Sequence, residues 1–338
     1  MSSGQTGGVL LDTLGRVATD LRVSLTDRCN LRCTYCMPAE GMVWLPRQEL
    51  LTDTEVARLV AVAVSVLGVD SVRFTGGEPL LRPGLEKIIG STRELSTDID
   101  ISLTTNGIGL ADRVDALVAA GLSRINVSLD TLQQERFKTL SRRDRLQDVL
   151  DGLVAAGRAG LDPVKVNAVL MRGVNDDEAG DLLRFCLEHG FELRFIEQMP
   201  LDADHNWSRD NLVTAEEILA QLAEAGFALS EVDRPRGSAP AERWLVDGGP
   251  STVGVIASVT RPFCRACNRT RLTADGQIRN CLFATGETDL RGLLRGGASD
   301  EELAARWREA MWGKAPGHGL NSPAGFAHAS RTMSAIGG

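Results

Sequence analysis

Apolar, β-branched runs recur along the first two hundred residues, at Leu21–Leu25, Ser71–Thr75, Ile99–Thr104, Arg124–Leu129, Val164–Val169 and Glu192–Glu197. Segments with helical spacing lie between them. The clearest is Asp53–Leu67, where Val56, Leu59, Val60, Ala63, Val64 and Leu67 fall on one face. Thr52 and Glu55 predict a capping box at its start. Gly84–Leu95, Leu110–Ala120, Leu146–Ala159 and Asp177–Glu188 predict further helices. Strands alternating with helices predict parallel βαβ units. Nearly every strand runs into a polar cluster: Thr26-Asp27-Arg28, Thr75-Gly-Gly-Glu78, Thr104-Thr-Asn-Gly107, Ser128-Leu-Asp130 and Glu197-Gln198. Polar groups at the C-terminal ends of many strands suit a barrel mouth, whereas a doubly wound sheet would gather them at one switch point. The fold expected is therefore α/β, an incomplete six-unit (β/α) TIM-type barrel.

After about Pro200 the pattern changes. One helix, Ala215–Ala225, precedes short turn-rich segments. The expected organisation is a flexible N-terminal tail (1–15), a partial barrel (16–200), and a C-terminal region (201–338) that closes the barrel and ends in an irregular Gly313–Gly338 tail.

Composition narrows the class. With 43% hydrophobic and 24% charged residues the 338-residue chain suits a globular protein. No apolar run is long enough to span a bilayer, and the first residues lack the basic-then-apolar order of a secretory signal. The expectation is a cytoplasmic protein without a membrane partner. A net charge of −8 argues against a broad nucleic-acid surface but leaves room for a few arginines around a small anion.

The cysteines carry the strongest signal. Six of the seven form two triplets, Cys29/Cys33/Cys36 and Cys264/Cys267/Cys281, and Cys186 stands alone in a helical stretch. An odd count in a cytosolic chain disfavours a disulfide framework. In the run Cys29-Asn-Leu-Arg-Cys33-Thr-Tyr-Cys36, three thiolates can wrap one small inorganic centre. A [4Fe–4S] cube usually takes four cysteines, so three leave one iron open for another ligand. Structural zinc usually closes with four protein ligands, and none of the four histidines (His189, His205, His318, His328) lies near this run. Zinc stays as the minor alternative for both triplets, with Cys186 a conceivable fourth ligand to the second.

Cys29-x3-Cys33-x-Tyr35-Cys36 after a first strand, with Gly76-Gly77-Glu78-Pro79 after the second, resembles the radical S-adenosylmethionine superfamily. The second triplet, spaced C-x2-C-x13-C, narrows this to a resemblance to the GTP 3′,8-cyclase family of molybdenum cofactor biosynthesis. Asp12-Thr-Leu-Gly-Arg16, Asp20–Cys29, Arg73–Arg82, Thr104-Thr-Asn-Gly107, Asn126–Asp130, Arg194-Phe-Ile-Glu197, Cys281-Leu-Phe and the terminal Gly337-Gly338 extend it over nearly the whole chain.

The resemblance implies two [4Fe–4S] clusters, one on Cys29, Cys33 and Cys36 that binds S-adenosylmethionine, and one on Cys264, Cys267 and Cys281 that binds GTP. It implies that a 5′-deoxyadenosyl radical removes the ribose 3′ hydrogen and that the product is 3′,8-cyclo-7,8-dihydro-GTP. A one-electron donor, a downstream cyclic pyranopterin monophosphate synthase and a homodimer are the implied partners. Tyr35, Gly77, Ser128 and Met199 match S-adenosylmethionine positions. Arg22, Arg73, Thr104, Lys165 and Arg194 match GTP positions.

Arg269 and Arg271 alternate on an extended segment, so their planar forks can grip one polyanion together. Lys165 alternates with Val164 and Val166 and is expected to face the lumen. Gly337 and Gly338 are expected to reach into the site, as the family's C-terminal Gly-Gly does. One departure stands out: many relatives carry a lysine where this chain has Ser71, with Arg82 or Arg47 as candidate substitutes. The competing readings are another two-cluster radical enzyme acting on a peptide, and a non-catalytic iron–sulfur electron carrier.

Overall fold

The computed structural model describes residues 8–202, 204–320 and 331–337. The strands are β1 (Asp20–Ser24), β2 (Ser71–Thr75), β3 (Asp100–Thr105), β4 (Arg124–Ser128), β5 (Val164–Val169), β6 (Glu192–Ile196), β7 (Leu229–Glu231), β8 (Glu242–Val246), β9 (Thr252–Ile256), β10 (Arg269–Leu272), β11 (Gln277–Arg279) and β12 (Thr288–Asp289). The helices are α1 (Asp53–Ser65), α2 (Leu85–Arg93), α3 (Val114–Ala119), α4 (Gln134–Ser141), α5 (Leu146–Arg158), α6 (Ala179–His189), α7 (Ala215–Glu224), α8 (Arg291–Arg295), α9 (Asp300–Trp312) and α10 (Met333–Ile336).

One sheet joins all these strands in the order β12-β11-β10-β1-β2-β3-β4-β5-β6-β9-β8-β7. β1 to β6 pair in parallel and in chain order, as expected of six βα units. The C-terminal region does more than cover an open side. It adds one parallel strand to each edge, β10 beside β1 and β9 beside β6. Antiparallel hairpins then finish both edges.

Period-two alternation divides each strand. Leu21, Val23, Val72, Phe74, Ile101, Leu103, Ile125, Val127, Val166, Leu193 and Phe195 are buried in the main core. Arg22, Arg73, Thr104, Asn167 and Arg194 occupy the alternate positions and line one cavity, together with Ile256 of β9 and Arg271 of β10. Strands from both ends of the parallel array share that cavity wall, so the sheet curls into a partial barrel.

The capping box forms: Thr52 Oγ1 accepts from Glu55 N, and the Glu55 carboxylate accepts from Thr52 N at 2.7 Å. α3 starts at Val114, later than the expected Leu110. Gly107 and Gly109 there have φ of +84° and +82°, outside helical space, and the Asn106 side chain accepts from Ile108 N. α4 was not expected; its sequence, Gln134–Ser141, carries only two large apolar residues, Phe137 and Leu140.

Residues 8–15 also correct the expectation of a loose tail. Leu10 is fully buried, and Leu11 bridges Val17. An apolar side chain seated in the core orders the segment around it. Among the described residues, no helix is long and apolar enough to cross a membrane.

Candidate active site

The first cysteine loop leaves β1 and is clamped by the Gly-Gly-Glu-Pro turn. Gly77 N donates to Thr26 O and Glu78 N to Arg28 O, both at 2.7 Å. A Cβ on Gly77 would sit 2.3 Å from Arg28 O, and one on Gly76 would sit 2.6 Å from Thr26 O. Glycine was expected here so that backbone could approach a ligand. The atoms it approaches are those of the segment leading into Cys29. The Glu78 carboxylate is fully buried and accepts from Thr105 Oγ1, Asn106 N and Leu80 N. Burial pushes Glu78 up to about 7. It fastens the turn to the end of β3.

Cys29 Sγ accepts weakly from Leu31 N and lies 3.8 Å from Asn106 Nδ2. Burial pushes the Cys29 thiol up to about 11 and Cys36 to about 12. Burial, then the Asp130 carboxylate, raise Cys33 well above its ordinary value too. Tyr35 donates its hydroxyl to Asp130 Oδ2 at 2.7 Å, and Asp130 Oδ1 accepts from Val169 N. These bonds fix the loop across β4 and β5.

The second loop differs in charge. Lys314 Nζ donates to Cys267 Sγ at 3.2 Å, and Arg269 Nε donates to the same sulfur at 3.4 Å. Burial alone would raise the Cys267 thiol, but Arg269 and Lys314 bring it down to about 6. Arg279, fully buried, pairs with Glu287 and donates to the carbonyl of Ala284, anchoring the turn that holds Cys281.

Both triplets suit a cube better than zinc. Among the described residues, no set of Cys, His, Asp and Glu side chains converges on a single metal ion. A cube takes one thiolate on each of three irons and needs the sulfurs spread around it. His318, on the wall beside Cys264 and Cys267, is committed elsewhere: Nε2 contacts Ser258 O and Nδ1 accepts from Leu320 N. Cys186 is buried in α6 among core residues, and burial raises its thiol, so it is no ligand to the second triplet.

A cavity of about 300 Å³ begins at Cys29, Cys33 and Cys36 and extends to Arg269, Arg271 and Leu282. The last three also line the pocket formed by Cys264, Cys267 and Cys281. Tyr35, Gly77, Ser128, Met199, Arg22, Arg73, Thr104 and Arg194 lie on the larger wall. Lys165 does not line it, but it is buried in register with Asn126 and one alternation from Asn167. Gly337 packs against Ser24 and Thr75 with φ of +84°, and its carbonyl accepts from Arg271 at 2.5 Å. Gly338 lies outside the described residues.

Arg22 stands opposite Arg73 on one neighbouring strand and opposite Arg271 on the other. All three are at most 9% exposed. Asp20 is the nearby carboxylate, 3.8 Å from Arg22, and the buried Arg22 Nε has no hydrogen-bond partner. Burial, then Arg22 and Arg269, lower Arg271 to about 9. Burial, then Arg194, lower Lys165 to about 7. Buried cations short of counter-charge form a site for a polyanion.

Neither expected substitute for the missing lysine reaches this belt. Arg82 is bound to Asp53 and to the carbonyls of Leu25 and Leu51, and Arg47 is exposed. Ser71 instead donates to Asp100, which also pairs with Arg124. Asn106, Asp130 and Asn167 were not singled out by sequence, although the first two fall inside recognised motifs. Lys314 gave no signal, being forty-seven residues from the sulfur it touches.

Comparison with known proteins follows the same lines. The Radical SAM superfamily profile matches residues 23–186, and the Molybdenum Cofactor Synthesis C profile matches residues 191–320. The solved structure of Streptococcus suis SuiB bound to S-adenosylmethionine shares the fold, with a TM-score of 0.58 at 15% identity over 86% of this chain and 68% of that one. Fold and cysteine loop together define a radical S-adenosylmethionine enzyme. GTP 3′,8-cyclase of Streptomyces coelicolor is 66% identical over 98% of this chain and 96% of its own. That of Mycolicibacterium smegmatis is 61% identical over 98% and 92%. The chain belongs to the GTP 3′,8-cyclase family.

Proposed function

We infer that this protein converts GTP to (8S)-3′,8-cyclo-7,8-dihydroguanosine 5′-triphosphate, the first step of molybdenum cofactor biosynthesis. One observation carries the reading: a belt of buried, under-neutralised arginines joins two cysteine triplets along continuous cavity walls. Cys29, Cys33 and Cys36 would hold a [4Fe–4S] cluster, with Tyr35, Gly77, Ser128 and Met199 around S-adenosylmethionine. Cys264, Cys267 and Cys281 would hold a second. When bound, the first cluster and S-adenosylmethionine supply the 5′-deoxyadenosyl radical that removes the ribose 3′ hydrogen.

The chain's own residues do the positioning. Arg22, Arg73 and Arg271 grip the triphosphate, Lys165 adds its charge from its buried place on β5, and Thr104, Arg194 and Arg269 bound the same pocket. Their burial strengthens each charged contact relative to water. The apolar wall of Ile196, Ile256 and Leu282 keeps water from the reacting carbon. Gly337 lies against Arg271, where glycine alone fits between Ser24 and Thr75. An external one-electron donor, a downstream cyclic pyranopterin monophosphate synthase and a homodimeric assembly complete the proposed setting.

Anaerobic incubation with S-adenosylmethionine, GTP and dithionite tests this. The expected products are 5′-deoxyadenosine and a cyclised nucleotide of GTP mass, both dependent on GTP. A peptide modifier would yield no cyclised nucleotide, and an electron carrier no GTP-dependent 5′-deoxyadenosine; either result rejects the assignment.

A further inference from the structure

Lys314 and Arg16 form a second layer behind the C-terminal cysteine loop. Lys314 follows α9 and is only 4% exposed. Its ammonium donates to Cys267 Sγ at 3.2 Å, Cys267 O at 3.3 Å and Arg269 O at 2.7 Å. Arg16, from the turn before β1, holds the backbone around it. Its guanidinium donates to Cys264 O at 2.8 Å, Ala315 O at 2.7 Å, and Lys314 O and Pro316 O at 3.3 Å. Asp12, 2% exposed, fixes Arg16 in turn through Nε at 2.5 Å. An N-terminal turn thus clasps the chain that carries Lys314 onto the cysteine loop. The Asp12–Arg16 motif has no other evident task, since it does not reach the cavity wall.

Among the described residues the N-terminal triplet has no cation bonded to its sulfurs; Arg32 donates to the Cys29 carbonyl and acts on the sulfur only through space. Among the described residues, no lysine or arginine side chain donates a hydrogen bond to Cys29, Cys33 or Cys36 sulfur; the donors at Cys29 are Leu31 N and the Asn106 amide. Hydrogen bonds and positive charge at a cluster sulfur favour the reduced, more negative cluster and raise its potential.

We propose that Lys314, clasped in place by Arg16 and Asp12, is a positioning residue that raises the reduction potential of the C-terminal cluster above that of the N-terminal one. This rests on the reading that Cys264, Cys267 and Cys281 hold a [4Fe–4S] cluster. The two clusters then differ by design: the C-terminal one accepts an electron readily, and the N-terminal one keeps the low potential that sulfonium cleavage requires.

The test is an anaerobic potentiometric titration of the full-length protein reconstituted with iron and sulfide, followed by electron paramagnetic resonance. The C-terminal cluster is recognised as the signal perturbed by GTP. Lys314→Met should lower its ratio of reduced to oxidised form about tenfold at fixed potential, a shift of about 59 mV for one electron. The N-terminal signal should not move, and Lys314→Arg should restore the original value. Arg16→Ala should shift it in the same direction by less.

An unchanged potential in Lys314→Met with about eight irons per chain overturns the proposal. So does loss of the second cluster in that variant, which would make Lys314 a scaffold for assembly. About four irons in the unmodified chain would instead reject the two-cluster reading beneath it.

Discussion

The two cysteine triplets are alike in count but differ in the charge set against one sulfur, that of Cys267. Cys29, Cys33 and Cys36 sit among backbone amides, an asparagine and the nearby Asp130; Arg32 acts on Cys29 only through space, and burial pushes all three thiols up. Cys267 lies against Arg269 and Lys314 and is pulled down, whereas burial raises Cys264 of the same triplet. Under the proposed function, the contrast matches a division of labour. A site that must drive electrons into a sulfonium gains from surroundings that do not stabilise extra negative charge. A site that must hold an anionic nucleotide gains from surrounding cations.

The sharpest way to break this comparison is to delete one site at a time. Cys33→Ser should abolish both 5′-deoxyadenosine formation and cyclisation. Cys267→Ser should abolish cyclisation and the GTP-dependent 5′-deoxyadenosine, leaving only a slow GTP-independent cleavage of S-adenosylmethionine by dithionite, with iron falling from about eight to about four per chain in either case. Loss of that slow cleavage in Cys267→Ser would mean that the two sites do not act separately.

Arg271 links the halves, since it lies in the belt and holds Gly337. Arg271→Ala should weaken GTP binding about tenfold to a hundredfold, the range for hydrogen bonds to a charged partner, with iron content unchanged. Isothermal titration of the reconstituted protein measures it. Removing Gly337 and Gly338 should stop cyclisation with both clusters intact; a fully active truncation would remove the tail from the site.

Glu197 sharpens the structural side. Its buried carboxylate accepts from Ala215 N, Val259 N, Thr260 N and Thr260 Oγ1, tying β6 to α7 and to the segment that leads into Cys264. Glu197→Ala should cost about 1–3 kcal/mol by stranding these donors. Protease susceptibility should rise first around residues 259–267, ahead of the Cys29 loop. Equal loosening at both loops would contradict that local role.

Lys165 gives a pH signature. In the free protein burial and Arg194 hold it to about 7, so at pH 8 it is largely neutral. A bound triphosphate stabilises the charged form and raises its pKa. GTP binding at pH 8 should therefore take up close to one proton, and affinity should fall as pH rises above about 7. Calorimetry in buffers of different ionisation enthalpy reads the uptake, and Lys165→Met should abolish it. Uptake that persists in that variant would assign the proton elsewhere.

The smallest effect is expected at Ser71→Lys. Arg124 already pairs with the Asp100 carboxylate that a lysine there would meet, so GTP affinity should change less than about threefold. A larger gain would mean that the belt lacks a cation at this point.

Much of this was legible in the chain because it is local or periodic. β2 and β5 fall where the β-branched runs predict, and Thr52 and Glu55 cap α1 as their spacing demands. The two cysteine triplets are visible because the three cysteines of each lie close together in sequence. The alternation that hides Leu21 and Val23 in the core also turns Arg22 the other way. What the sequence alone determined was thus the period of each strand, the two cysteine loops and the class of chemistry they serve.

Tertiary structure decided the rest, because it depends on which distant strands become neighbours. Nothing local says that β10 pairs with β1 and thereby sets Arg271 beside Arg22, or that β9 closes against β6. Nothing local places Glu78 under Asn106, or Lys314 and Arg16 around Cys267. These contacts cross tens to hundreds of residues. They give two similar cysteine triplets their different electrostatic surroundings.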